Sequence, residues 1–271
     1  MRRFLVTGAG GPAGRALLAA LTRRGFPATG VDAAPDAPEV ETVPFADHPC
    51  FVAEVLRAAA RHRAGIVVPT VSEELPPLAA AALGRTGGPR IVVGTPAAVA
   101  AAADKWRTAR LLDLAGVPVP RTLLAGWPEP ERLGSPFLSK PRRGRGGRGV
   151  RLHGTPGAFP PPMDDDHILQ EYAPGAEYAV DLYADTVVVL RKTLLRQGLV
   201  GNAVSVRRES APDVADVARA AVATLGLTGP VDVDVRRRAD GTPLVLEVNA
   251  RFGALSGHAP EVLDALLADY P

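Results

Sequence analysis

Lysine is nearly absent from this chain: three occur in 271 residues, at 105, 140 and 192, against 28 arginines. Each retained ammonium is therefore informative, because it offers a compact, rotatable point charge that a planar guanidinium fork does not replace. Cysteine is scarcer still. With Cys50 alone no internal disulfide forms, which fits a reducing compartment. Aromatic residues are 5% of the chain, so its cores can be built mainly from Ala, Val and Leu. Neither sign of charge dominates. The balance of 31 basic and 29 acidic residues leaves +2, which gives no global case for nucleic acid or an anionic membrane surface. No apolar run reaches the roughly 20 residues of a membrane span. Met1-Arg2-Arg3-Phe4-Leu5-Val6 has the flavour of a leader, but Gly10-Gly11-Pro12 and Arg15 interrupt it, so a cytoplasmic protein is expected.

What is present begins with alternation. Strand-like Phe4 to Thr7, Ala28 to Asp32, Ile66 to Val68 and Ile91 to Val93 are separated by helical stretches, Pro12 to Arg24, Phe51 to His62 and one through Ala79 to Leu83. Repeated strand and helix of this kind predict a parallel sheet with right-handed crossovers. Residues 33 to 49, with Ala34-Pro35-Asp36-Ala37-Pro38, read as an irregular loop. A boundary is expected near 95 to 103, where Thr95-Pro96 opens a helix of mostly alanines.

Gly8-Ala9-Gly10-Gly11-Pro12-Ala13-Gly14 links the first strand to the first helix, and Asp32 closes the second strand. That is a dinucleotide fingerprint in its proper context, with glycines admitting a pyrophosphate to a helix N-terminus and Asp32 available for a ribose hydroxyl. A nicotinamide-dependent oxidoreductase is one reading. Another is that the glycines serve only a tight turn and close packing. No lysine here has a Tyr four residues before it, as the short-chain oxidoreductases require.

From Asp104 the pattern changes. Lys105 to Ala115 has helical periodicity, and Val117-Pro118-Val119-Pro120 must then be extended. Phe137-Leu138-Ser139-Lys140-Pro141 delivers Lys140 just before Gly144-Arg145-Gly146-Gly147-Arg148-Gly149. Glycines let such a loop turn its amides onto phosphates. Its arginines also admit an RNA-binding reading or a plain solvated turn. Near the end, Val231-Asp232-Val233-Asp234-Val235 and Leu244-Val245-Leu246-Glu247-Val248-Asn249 form a hairpin through Asp240-Gly241. Period two puts Asp232 with Asp234 on one face, and Glu247 with Asn249 and Arg251 on one face of the partner. Oxygen donors without cysteine suit a hard cation such as Mg²⁺.

With these residues together, the chain resembles the ATP-grasp superfamily, the fold of carbamoyl-phosphate synthetases, biotin carboxylases and D-alanyl-D-alanine ligases. The resemblance covers nearly its whole length. It implies a mixed α/β and α+β fold: a Rossmann-like amino-terminal domain over residues 1–103, then an ATP-grasp domain over 104–271. The latter comprises a small lid subdomain at about 104–170 and a larger metal-binding subdomain at about 171–271. Lys105 and Lys140 resemble the two phosphate-binding lysines, and Gly146 and Gly147 the loop that covers the phosphates. Ile168-Leu169-Gln170-Glu171-Tyr172-Ala173-Pro174-Gly175-Ala176-Glu177 resembles the segment that grips the base. In that segment Gln170, Glu171 and Ala173 would border adenine, with backbone groups at 170 and 173, and Glu177 would take the ribose. Asp234, Glu247 and Asn249 would hold Mg²⁺ or Mn²⁺, and Arg251 would neutralise the phosphoryl in transit.

The implied activity is ATP-dependent ligation, in which a carboxylate becomes an acyl phosphate that an amine or other nucleophile attacks. Such catalysis rests on positioning and charge neutralisation and needs no side-chain nucleophile; the chain shows no Ser/His/Asp or Cys/His arrangement. Arg196 is the candidate for binding the acceptor's carboxylate, near Asn202. Only twenty residues follow Arg251, so the acceptor pocket is expected to be open or completed by a second copy in a homodimer. Partners are thus small carboxylates and amines, with no nucleic acid and no membrane. Bicarbonate or carbamoyl-phosphate chemistry, the oxidoreductase, and a non-catalytic nucleotide- or RNA-binding protein stand as alternatives.

Overall fold

Three sheets follow one another along the chain in the computed structural model, which describes residues 2–126, 130–144, 146–154, 164–196, 198 and 203–270. Arg145 and Asn202 lie outside the described residues. The first sheet is parallel, in the order β3-β2-β1-β4-β5. It comprises β1 (Phe4–Thr7), β2 (Ala28–Asp32), β3 (Glu41–Thr42), β4 (Ile66–Val68) and β5 (Arg90–Ile91), with α1 (Pro12–Arg23), α2 (Phe51–Arg61) and α3 (Leu75–Ala82) between them. Every residue of β1 is buried, as a strand covered on both faces must be. Pro12 begins α1, where a missing amide is harmless. Ala13, Gly14, Leu17, Ala20 and Leu21 then form its buried stripe.

Two expectations shift here. The loop at 33 to 49 contains β3, whose two residues pair with β2 through Val31↔Glu41 and Asp32↔Thr42; a strand so short has no periodicity to read. The third helix begins at Leu75 rather than Ala79 because Pro76 and Pro77 open it.

Next come α4 (Pro96–Ala102) and α5 (Lys105–Leu114). Asp104 caps α5 by accepting from the amides of Trp106 at 3.0 Å and Arg107 at 3.3 Å. The second sheet is antiparallel, ordered β6-β9-β7-β8 from β6 (Thr122–Leu124), β7 (Phe137–Pro141), β8 (Arg151–His153) and β9 (His167–Glu171). Ala125, Leu133, Phe137 and Leu169 form its small core.

The third sheet, also antiparallel, runs β12-β11-β10-β13-β14. Its strands are β10 (Glu177–Tyr183), β11 (Thr186–Leu195), β12 (Ala203–Arg208), β13 (Val231–Arg237) and β14 (Pro243–Asn249). One face is covered by α6 (Pro212–Leu225), whose Val214, Val217, Ala218 and Ala221 pack with Val180, Val231, Val233 and Val248. Alternation sends Asp232, Asp234 and Arg236 to the opposite face. Finally α7 (Pro260–Asp269) returns to the first sheet, burying Val262, Leu263, Leu266 and Leu267 with Phe4, Val6, Leu17 and Leu21. Each such side chain contributes roughly 1.5–3 kcal/mol, so the last helix fastens the third sheet to the first. Among the described residues no helix is long and apolar enough to cross a membrane.

Candidate functional site

The face of the third sheet opposite α6, the end of the second, and the loops after β1 and β4 line one cleft. All three lysines enter it. Lys140, at the end of β7, is 7% exposed; burial lowers its pKa to about 8 although Glu247 favours its charge. The Lys105 ammonium donates to the Gly144 carbonyl at 2.8 Å and stands 3.4 Å from Glu247. Lys192, to which the sequence assigned no role, bridges Glu177 at 2.7 Å and Asp234 at 2.6 Å. Burial opposes its charge, but Asp234 and Glu177 prevail and hold its pKa above the ordinary 10.5. Its rarity was the available signal.

The glycine-rich segment is a built loop. Gly144, Gly146, Gly147 and Gly149 have φ of 130°, 70°, 71° and 73°, a backbone region open to glycine and strained for other residues. Asp104, besides capping α5, accepts from Arg142 at 2.6 and 3.2 Å, and the Lys105 amide donates to the Arg142 carbonyl at 3.0 Å. The loop's base is thereby fastened to the helix that carries Lys105. Gly146, Gly147, Arg143 and Arg148 line the cleft.

At the far end, β9 turns Gln170 inward and, by its period of two, Glu171 outward. Glu171 is therefore not a cleft residue as expected: its carboxylate accepts from Arg238 at 2.9 Å and from the Arg121 amide at 3.1 Å. Ala173 is buried between β9 and β10 and is not among the lining residues. Gln170 is 1% exposed and donates through Nε2 to the Thr122 hydroxyl at 3.0 Å, which itself donates to the Pro120 carbonyl at 2.9 Å. The relay fixes the amide's orientation and leaves its Oε1 buried without a partner. Glu177 lines the cleft, held by Lys192 and by Arg236 at 3.2 Å.

On the hairpin, Asp232 lies opposite Asn249 and Asp234 opposite Glu247. All four line the cleft, with Arg251. Asn249 accepts from Arg251 at 3.2 Å, so each expected metal donor already has a cationic neighbour. Among the described residues no group of three or more His, Cys, Asp and Glu is arranged to hold a metal by itself. Two carboxylates and an amide oxygen instead fit Mg²⁺ in its usual setting, with phosphate oxygens and water completing the shell. Asp181, behind Asp232 in register, is 1% exposed, and burial lifts its carboxyl to about 7.

Arg196, the candidate for the acceptor's carboxylate, is exposed and is not among the lining residues of the cleft; β11 ends at Leu195, just before it. Of the two readings of the glycine-rich turn, close packing has the local support, and Asp32 is engaged by backbone beside it. Its two oxygens accept from the Gly10 amide at 2.9 Å and the Ala34 amide at 3.0 Å. A Cβ on Gly14 would stand 2.3 Å from the Gly8 carbonyl oxygen, so that glycine serves close packing of helix on strand.

A family model described as the ATP-grasp domain matches residues 102–255. An L-amino acid ligase from Bacillus licheniformis superposes with a TM-score of 0.65 at 20% identity, over 96% of this chain and 69% of that one. D-alanine–D-alanine ligase from Bacillus anthracis gives 0.64 at 15% identity, over 98% and 92%. N5-carboxyaminoimidazole ribonucleotide synthetase from Thermotoga maritima gives 0.66 at 18% identity, over 93% and 69%. At such identities the likeness is one of fold. No curated protein matches.

Proposed function

Since the chain belongs to the ATP-grasp family, we propose that it is an ATP- and Mg²⁺-dependent ligase that joins a carboxylate to an amine through an acyl phosphate. The observation that carries this is the convergence of all three lysines and the hairpin's oxygen donors on one cleft. On this reading residues 1–103 are a Rossmann-like unit that backs the site. Residues 104–170 form the lid and 171–271 the metal-bearing part.

Lys105 and Lys140 bind phosphates, and the amides of Gly146 and Gly147 cover them. Gln170, with backbone at 170 and 173, borders adenine. Glu177 takes the ribose hydroxyls with the acceptor sites that Lys192 and Arg236 leave open. Asp234, Glu247 and Asn249 would hold Mg²⁺ or Mn²⁺, whose charge offsets that of the transferred phosphoryl. Arg251 stabilises the same charge from the side of the acceptor. A closed loop excludes water, protecting the activated carboxylate until an amine attacks.

The test is ADP release against a panel of amino acids and bicarbonate. Turnover should depend on a carboxylate and fall by about 100-fold or more in Lys140→Ala and Glu247→Ala, the scale of removing a preorganised charge partner. Full turnover in both variants would refute the assigned roles, and release that depends on bicarbonate alone would replace the ligase with a bicarbonate-activating enzyme.

A further inference from the structure

Arg251 owes one of its three hydrogen bonds to a residue 179 positions earlier. Its Nε donates to the Ser72 hydroxyl at 3.1 Å, Nη1 to the Phe252 carbonyl at 2.8 Å and Nη2 to Asn249 Oδ1 at 3.2 Å. A guanidinium has five N–H donors, so one on each terminal nitrogen remains, the pair that can grip a phosphoryl oxygen. Two of the three holds come from Arg251's own strand end. The third comes from the short turn Ser72–Glu74 after β4, on the loop whose Thr70 and Val71 line the cleft. Asn249 Oδ1 is also a proposed cation ligand; its second lone pair can still accept from Arg251, but the cation competes for that oxygen, so Ser72 is the one side chain among these holds that no cation draws on.

Resting on the ligase reading, we infer that Ser72 is a positioning residue for Arg251. Its hydroxyl holds the guanidinium plane toward the terminal phosphate, so the segment after β4 helps set the transfer geometry without touching nucleotide. A 1 Å misplacement at such a centre is enough to matter.

Ser72→Val and Ser72→Thr, alike in shape and different in the hydroxyl, test it by calorimetry with Mg·ADP and the non-hydrolysable Mg·adenylyl imidodiphosphate. Wild type should prefer the triphosphate analogue, and Arg251→Ala should abolish that preference. Ser72→Val should lose about 3- to 10-fold of it, less than a full hydrogen bond to a charged group because the other holds remain. Affinity for Mg·ADP should be unchanged, and Ser72→Thr should behave as wild type. Thermal midpoints of the two variants should coincide; if valine unfolds the protein, Ser72→Ala and Ser72→Gly make the same comparison with threonine. Equal weakening of both nucleotides, or an unaltered preference in the variants lacking the hydroxyl, would overturn the inference. An Arg251→Ala protein with the wild-type preference would instead overturn the role of Arg251, and the inference with it.

Discussion

Replacing Thr122 by valine should change which nucleobase the cleft accepts. In the native site the Thr122 proton goes to the Pro120 carbonyl, so its oxygen accepts from Gln170 Nε2 and leaves Oε1 as a fixed, buried acceptor. An exocyclic amino group, as on adenine, satisfies it. A 6-oxo group, as on hypoxanthine, brings one acceptor against another. Leaving a buried acceptor unpaired costs about 1–3 kcal/mol, and at about 1.4 kcal/mol per decade that predicts ATP over ITP by roughly 5- to 140-fold. Thr122→Val removes the group that orients the amide. Gln170 can then turn its NH₂ toward a 6-oxo base, and the preference should shrink to about threefold or less, within one neutral hydrogen bond. Competition calorimetry with ATP and ITP measures both ratios. If Thr122→Val binds ATP normally and keeps the full discrimination, the side chain does not read the base and the argument is wrong.

The remaining predictions concern buried charge. Glu74 is 5% exposed, and burial lifts its carboxyl from 4.5 to about 7 although the Thr7 hydroxyl donates to it. Between these two values the native state keeps a proton that the unfolded chain has released. Stability therefore declines as pH rises from about 4.5 to 7 and is level above. Glu74→Gln should remove that decline and exceed wild type at pH 8 by about 3 kcal/mol, read from urea midpoints between pH 4.5 and 8; an equal difference at both ends would exclude the carboxyl as its source. Lys192→Met leaves Asp234 without its cation and Glu177 with Arg236 alone, their side chains being 26% and 11% exposed. Removing one partner of a buried pair costs about 3–5 kcal/mol, the lower end applying because Asp234 is partly wet. Adding Glu177→Gln and Asp234→Asn should restore most of the loss, and a triple variant as unstable as Lys192→Met would show that packing of the lysine stem was responsible.

Local grammar made much of this molecule legible. The helix start at Lys105 follows from Asp104, and the cleft face of the hairpin follows from the period of Val231 to Val235 against Leu244 to Asn249. Short elements were not legible: β3 has two residues and rests on backbone pairing alone. The site's failures have the same origin. Glu171 and Gln170 are adjacent, and only the facing of β9 decides which one enters the cleft. Arg196 lies just past the end of β11, a strand whose register slips twice, so counting along the chain cannot place it. The contact of Ser72 with Arg251 spans 179 positions and leaves no trace in spacing.

Composition concealed the electrostatics because it averages over the chain. Seven basic and four acidic side chains line the cleft among the described residues, an excess of three positive charges, while the whole chain carries a formal +2. Positive charge is thus concentrated at the cleft, where it attracts an anionic ligand. Inside, the excess is tempered: Lys105 leans on Glu247, Lys192 on Glu177 and Asp234, and Arg251 on Asn249. A cluster of unpaired cations at this depth would disfavour its own charges, as the depressed pKa of Lys140 illustrates. Pairing them with the same oxygens that suit a divalent cation resolves the conflict. When a cation draws on those oxygens, the lysines and the arginine are released toward phosphate, so nucleotide and metal should each strengthen the binding of the other.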